Sequence, residues 1–284
     1  MLFFNLQTAL YQKSENTPKG DQFALYILTN RLFCEIIYQL LYNKKRGDKI
    51  MLNISHLTKT YGTKKAVDDL SLYIAPGEIY GFIGHNGAGK TTTLKSVVGI
   101  LSFDEGEIKI DGVSIKESPI ACKKKIAYIP DNPDLYEFMT GIKYLNFIAD
   151  IFGVSADERK DKIAKYADMF EITQDLAQPI SAYSHGMKQK LAIISAWIHN
   201  PQLIIMDEPF VGLDPKASHL LKGMMREVCE NGGAIFFSTH VLEVAEKLCD
   251  KVAIIKGGKL IRSGTMEEVK GDASLEEVFL ELEG

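Results

Sequence analysis

Several chemistries are excluded by what this 284-residue chain has little of. Its four cysteines, Cys34, Cys122, Cys229 and Cys249, show no CxxC spacing. A disulfide framework or thiolate metal site needs paired or clustered sulfurs, so these read as reduced thiols. The six histidines are dispersed and form no HExxH pair. The N-terminal MLFFNLQTALYQ lacks the basic n-region and small-residue cleavage site of a secretory leader. The most apolar early stretch, FALYILTNRLFCEIIYQLLY, is interrupted by Asn30, Arg31, Glu35 and Gln39. A charge at the centre of a membrane span costs about 2.5–3.5 kcal/mol, which argues against a transmembrane helix and leaves an amphipathic surface helix open. Charge of one sign is not in excess: 33 Lys/Arg face 37 Asp/Glu, a net charge of -4. Whole-chain electrostatics therefore give no push toward nucleic acid or an anionic membrane. Internal repeats, heptad series and low-complexity tracts are also missing.

What is present is an ordinary globular mix, 46% hydrophobic and 25% charged, able to bury a core. Residues 1–50 differ from the rest. They hold seven Lys/Arg and four Asp/Glu, a balance of +3 that leaves -7 for Met51 onward. They carry no motif and no strand–turn–helix rhythm. Met51 is followed at once by a strand pattern, MLNISHLTKTYGTKKAVDDLSLYI. This predicts that Met51 is the native start and that RGDKIM is an upstream ribosome-binding stretch read as codons. The other reading of 1–50 is a real N-terminal extension, a helix packing on the domain or on a membrane surface. Intact mass of the natively expressed protein separates the two.

From Met51 to Gly284 strands and helices alternate. EIYGFIG is a short apolar run ending in glycine, and KTTTLKSVVGIL after it has helical spacing. GEIKIDGVSI reads as two short strands about the turn Asp111-Gly112. A mostly helical stretch follows, about residues 135–199, with Pro133 and Pro179 near its margins. QLIIMDEP and GAIFFSTH are continuous apolar runs of the kind found in buried parallel strands. In KVAIIKGGKLIRSG, Gly257-Gly258 marks a hairpin. The pattern is an α/β core interrupted by a helical insertion.

The segment GHNGAGKT, Gly84 to Thr91, fits G-x-x-x-x-G-K-[ST] and lies between a strand and a helix. Gly84, Gly87 and Gly89 let the backbone N–H groups of the loop, those of His85, Asn86 and Ala88 included, curl around phosphate oxygens without Cβ clashes. The following helix, opening through Thr91 and Thr92, points its positive end at the same anions. Lys90 supplies a cation to the β- and γ-phosphates, and the Thr91 hydroxyl is a ligand for Mg²⁺. No G-x-G-x-x-G opens a helix here, which excludes a dinucleotide fingerprint. The loop alone fits a kinase, a GTPase or an ATPase.

LIIMDEP narrows the choice. An apolar strand delivers Asp207 to its polar end, where it can hold Mg²⁺, and Glu208 follows directly. Successive strand residues face opposite ways, but at a strand end both can approach one site. A carboxylate beside the metal is what a water-activating base requires. The plainer reading is that Glu208 caps the turn before Pro209. FFSTH delivers His240 in the same way, as a phosphate contact or as a packed or surface histidine. YSHGMKQK places Ser184 where a helix begins, with Gly186 just inside. A serine hydroxyl, exposed N–H groups and a positive helix end favour an anion, or simply cap the helix.

Taken together, the phosphate loop, YSHGM, LIIMDEP, VGLDP and STH, in this order and spacing from Met51 to about Gly284, resemble the ATP-binding cassette (ABC) family. The resemblance implies a P-loop NTPase (RecA-like) core with an antiparallel β subdomain and an inserted α-helical subdomain. It implies ATP and Mg²⁺ as ligands, with Glu208, His240 and Lys90 as catalytic residues. Tyr61, in KTYG, matches the aromatic that stacks on adenine; it also reads as an ordinary strand-end tyrosine. Ser184 and Gly186 match the signature that completes the nucleotide site of a second subunit, and Asp214 the loop that communicates between sites. Two departures stand out. His185 and Met187 replace a glycine and a glutamine of the usual L-S-G-G-Q. Asp131, after KIAYIP, stands where the family has a glutamine that reaches Mg²⁺. The YSxGM form resembles exporter-like ATPase subunits, and ASLEEVFLEL resembles endings of that branch. The expected partners are an integral membrane permease, meeting the chain at Asp131 to Gly141, and a second copy or related subunit. Nucleic acid is not expected, and the expected location is peripheral, on the cytoplasmic face of the cell membrane. The alternatives are a soluble ABC ATPase acting on nucleic acid or ribosomes, a small-molecule kinase, and a purely regulatory cassette.

Overall fold

Two sheets divide the apolar residues between two cores. A computed structural model describes residues 49–283; the reading of residues 1–50 as an extension or a false start falls almost wholly outside the described residues. The strand pattern read from Met51 folds as two strands, Leu52–Tyr61 (β1) and Lys64–Ile74 (β2). They reverse at Gly62, whose φ of 59° needs a residue without Cβ. Glu105–Ile110 (β4) and Val113–Ser114 (β5) form the expected hairpin, with Asp111 and Gly112 at φ 48° and 78°. Positive φ at both positions is the two-residue turn that matches strand twist. These four strands pair antiparallel in the order β2-β1-β4-β5.

The second sheet holds Ile79–Ile83 (β3), Ile126–Ile129 (β6), Leu203–Asp207 (β7), Ala234–Thr239 (β8), Lys251–Lys256 (β9) and Lys259–Thr265 (β10). Its order is β10-β9-β3-β8-β7-β6, parallel except for β10. Every residue of β3, β7 and β8 is buried, which is why these strands read as continuous apolar runs. The pleat sends neighbours to different cores. Phe236 joins Phe82, Leu203, Ile54 and Leu72 beneath the antiparallel sheet, while Phe237 joins Met206, Leu191, Leu221 and Met225 on the helical side. Truncating either phenylalanine to alanine would cost about 3–5 kcal/mol.

The helices are Lys90–Val97 (α1), Pro119–Lys123 (α2), Gly141–Phe152 (α3), Ala156–Met169 (α4), His185–Trp197 (α5), Pro215–Glu230 (α6), Leu242–Leu248 (α7), Met266–Lys270 (α8) and Leu275–Glu283 (α9). α3, α4 and α5 lie between β6 and β7 in the chain, where the helical insertion was expected. Thr140, Ser155 and Ser184 cap them, each accepting a hydrogen bond from the backbone N–H three residues on. The fold is the expected α/β class with an antiparallel sheet beside the main one. Because β3, β6, β7 and β8 run parallel, the loops after them open at one edge of the sheet, the usual ligand edge of such folds.

Candidate functional site

A cavity of about 310 Å³ lies at that edge. Its floor is the loop from Gly84 to Gly89, joining the end of β3 to the start of α1. The glycines are there for two reasons. A Cβ on Gly84 would sit 2.5 Å from the Ile255 carbonyl oxygen, so only a glycine allows β9 to approach. Gly87 and Gly89 have φ of 81° and 111°, in the region that side chains disfavour. Gly89 is also the N-cap of α1, and no side chain caps that helix. The first-turn amides of α1 are therefore left for an outside acceptor.

Lys90 begins α1 and is buried. Its Nζ donates to the Gly84 carbonyl at 2.5 Å and the His85 carbonyl at 3.3 Å, and lies 3.7 Å from Glu208 Oε1. Burial lowers the pKa of this ammonium from the usual lysine value, opposed by the Glu208 and Asp207 carboxylates. An ammonium held by loop carbonyls inside a buried pocket is a cation awaiting a stronger anion.

Asp207 ends β7, is buried, and accepts from Thr91 Oγ1 at 2.6 Å through Oδ2 and from Ser238 Oγ through Oδ1. Glu208 then leaves the pleat: its φ is 48°, uncommon for a residue with a side chain. Its N–H is held by the Ser238 hydroxyl and carbonyl, both at 3.2 Å. This turn is how two successive carboxylates come to one cavity, as both line it. Glu208 Oε2 accepts from the His240 N–H at 3.3 Å, and His240 Nδ1 lies 2.9 Å from Oε1. Among the described residues the buried Oε1 has Lys90 Nζ and His240 Nδ1 beside it and no hydrogen-bond partner. It is an acceptor positioned for a proton.

Asp131, on the loop after β6, faces the same cavity, as do Tyr61, His85, Asn86 and Thr92. Tyr61 ends β1 and is 50% exposed, with Lys59 Nζ 5.4 Å from its ring centroid. Thr91, Asp207 and Asp131 form an oxygen-only donor set. Among the described residues no three His, Cys, Asp or Glu gather as a metal cage. Oxygen donors of this kind fit Mg²⁺, which is held by one or two carboxylates together with phosphate oxygens and water.

Ser184, Gly186 and Asp214 lie away from this cavity. Ser184 caps α5, accepting from the Met187 N–H at 3.3 Å. Asp214 caps α6, accepting from the Ala217 N–H at 2.8 Å, and pairs with Lys190 Nζ at 2.8 Å. The two loops touch: a Cβ on Gly186 would lie 2.9 Å from the Gly212 carbonyl, and one on Gly212 would lie 2.5 Å from the His185 ring. Gln189, fully buried on α5, donates to the Pro209 carbonyl at 3.4 Å.

Sequence reasoning missed Ser238, Lys64 and Ala66. Ser238 stood in the quoted FFSTH, and its place one residue before the strand end is the signal that could have found it. Lys64 and Ala66 reach the cavity from β2, through sheet packing that no local pattern encodes.

Comparison with known proteins agrees with this geometry. The family profile described as ABC transporter matches residues 67–211. The ABC-type transporter ATP-binding protein EcsA of Bacillus subtilis (strain 168) is 34% identical over 237 residues, 82% of this chain and 96% of that protein. The Nod factor export ATP-binding protein I of Rhizobium etli is 33% identical over 224 residues, 78% of this chain and 71% of that one. A solved structure of an ATP binding subunit of an ABC transporter superposes with a TM-score of 0.79 at 34% identity, covering 82% of this chain and all of that one (100%).

Proposed function

The chain belongs to the ABC transporter family as an ATP-binding and ATP-hydrolysing subunit, and from that premise we propose that it powers export through a separate integral membrane permease by closing a dimer around two ATP molecules. The reading is supported above all by Glu208, whose left-handed turn brings a buried carboxylate oxygen, close to Lys90 and His240 but without a hydrogen-bond partner, into the cavity that holds Lys90 and Asp207.

The chemistry is built from these residues. The Gly84–Gly89 loop and the uncapped first turn of α1 bind the phosphates, and Tyr61 packs on the base. Lys90 leaves the Gly84 and His85 carbonyls for the β- and γ-phosphates. Thr91, Asp207 and Asp131 would hold Mg²⁺, which neutralises phosphate charge when bound. Glu208 Oε1 accepts the proton of the attacking water, with Oε2 tied to the His240 N–H so that the carboxylate keeps one orientation. His240 is at the γ-phosphate side of Glu208.

The tip of α5 then has a role that its own cavity does not give it. Ser184 and Gly186 face the γ-phosphate bound by a second copy or related subunit. One helix end contributes about 0.3–2 kcal/mol, so two ATP molecules, each clamped this way, add several such increments. Among the described residues no helix is long and apolar enough to cross a membrane. A separate permease docks near Asp131 to Gly141, where Tyr136 and Phe138 are exposed, and holds the chain at the cytoplasmic face. Export is supported by the signature form and by the export protein among the relatives. A soluble role on nucleic acid has no such support, since the net charge is -4.

Glu208→Gln is the test. It should bind ATP as the parent does, lose turnover by on the order of 10²–10⁴-fold, and accumulate a dimer in ATP by light scattering. Unchanged turnover would remove Glu208 from the base role.

A further inference from the structure

The C-terminal helix α9 meets the phosphate loop, and neither the hydrolytic residues nor the dimer account uses it. Leu275, Val278, Phe279 and Leu282 recur at helical spacing and form its apolar stripe. The first three are buried in the helical-side core. Phe279, 6% exposed, meets the imidazole of His85 edge to face, with centroids 4.9 Å apart and planes at 64°. His85 is the second residue of the phosphate loop, and its carbonyl is one of the two that hold Lys90 Nζ.

The start of α9 is fastened to α7, the helix that follows His240. Glu246 on α7 accepts from the Leu275 N–H at 3.3 Å and pairs with Lys270 at 2.7 Å. Lys256, at the end of β9, donates to the Leu282 carbonyl at 3.1 Å. α9 thus spans the loop that binds phosphate and the helix behind the loop that carries His240.

We propose that Phe279 is a positioning residue of the nucleotide site: by packing against His85 it holds the phosphate loop in its binding shape, so that docking of α9 and nucleotide affinity are coupled. Three of the six loop residues, Gly84, Gly87 and Gly89, have no side chain, and Ala88 offers the core only a methyl group. A ring on His85 supplies a grip at the loop's first bend. Coupling of this kind is reciprocal, so nucleotide should steady α9 as much as α9 steadies the loop. The inference rests on the reading of the cavity as the ATP site.

The test uses the full chain and ADP, measured by calorimetry on the parent, His85→Ala, Phe279→Leu and the double variant. Leucine keeps the core filled while removing the ring. Each single change should weaken ADP by about two- to tenfold, the range expected of one ring pair. The double variant should be no weaker than the weaker single, because both remove the same contact. In hydrogen exchange, ADP should slow the amides of residues 275–282 in the parent and not in Phe279→Leu. Parent-like affinity in Phe279→Leu, effects that multiply in the double variant, or α9 exchange indifferent to ADP would each overturn the proposal alone. A parent chain that does not bind ADP would overturn the nucleotide reading, and this inference with it.

Discussion

α1 and α5 both begin at a small residue, yet their first turns are finished differently. α1 is capped by Gly89 with no side-chain bond, and its first residues are enclosed with Asp207, Glu208 and the phosphate loop in one cavity. α5 is capped by Ser184, whose hydroxyl is already engaged with the Met187 N–H, and its tip lies outside the cavity. On the proposed reading the first is a half-site, with its own cation, carboxylates and cradle, and the second, in contact with residues 209–214, serves the nucleotide of a second copy. A similar local motif would then bind or cover a ligand according to what the fold places beside it.

The comparison breaks most visibly if the two ends are disabled separately. Glu208→Gln acts on the complete half and should remove turnover while leaving binding. Gly186→Asp acts on the tip. It places a carboxylate where the account puts a second copy's phosphate, so ATP-driven dimerisation in a Glu208→Gln background should fall on the order of 10²-fold. Affinity of the monomer for ATP should be unchanged in titration calorimetry; an equal loss of monomer affinity would mean that the tip serves its own cavity.

Smaller effects sharpen the bracing. Asp214→Ala removes the cap of α6 and the partner of Lys190 together, and should lower unfolding stability by about 1 kcal/mol in urea melts. Lys190→Ala loses only the ion pair and should cost under about 1 kcal/mol. The smallest effect is in pH. Lys190, and then the Ala217 N–H, hold the Asp214 carboxyl below its ordinary value of 3.8. A depressed carboxylate contributes stability that is present above the unfolded value and is lost as pH falls through the folded one. Asp214→Asn should therefore match the parent's slope of stability against pH above about pH 5 and show a shallower decline as pH falls through 3.8 and below. An unchanged acid limb would remove the charge of Asp214 from the bracing.

Much of this was legible in the sequence because strong local rules govern it. Glycine spacing before a lysine, apolar runs ending in Asp207 and His240, and Gly-Gly or Asp-Gly turns each have one dominant structural outcome. The fold class followed from their alternation. What was not legible depends on long-range placement. Ser238 matters because β8 lies beside β7, a neighbour relation set by sheet order rather than by either strand. The left-handed turn at Glu208 is held by Ser238, thirty residues later. Phe279 read only as one residue of an amphipathic helix; its contact with His85 exists because α9 is tied to Glu246 on α7 and to Lys256 at the end of β9. Asp131 was singled out as a departure from the family pattern, and it lines the cavity from the loop after β6.

The most direct measurement is the structure of the Glu208→Gln variant loaded with ATP, read for one distance: from Ser184 Oγ of one copy to the γ-phosphate held by Lys90 of another. The account predicts hydrogen-bond distance at both sites of a symmetric dimer. Two copies with their Ser184 tips turned to solvent while both cavities hold ATP would contradict it.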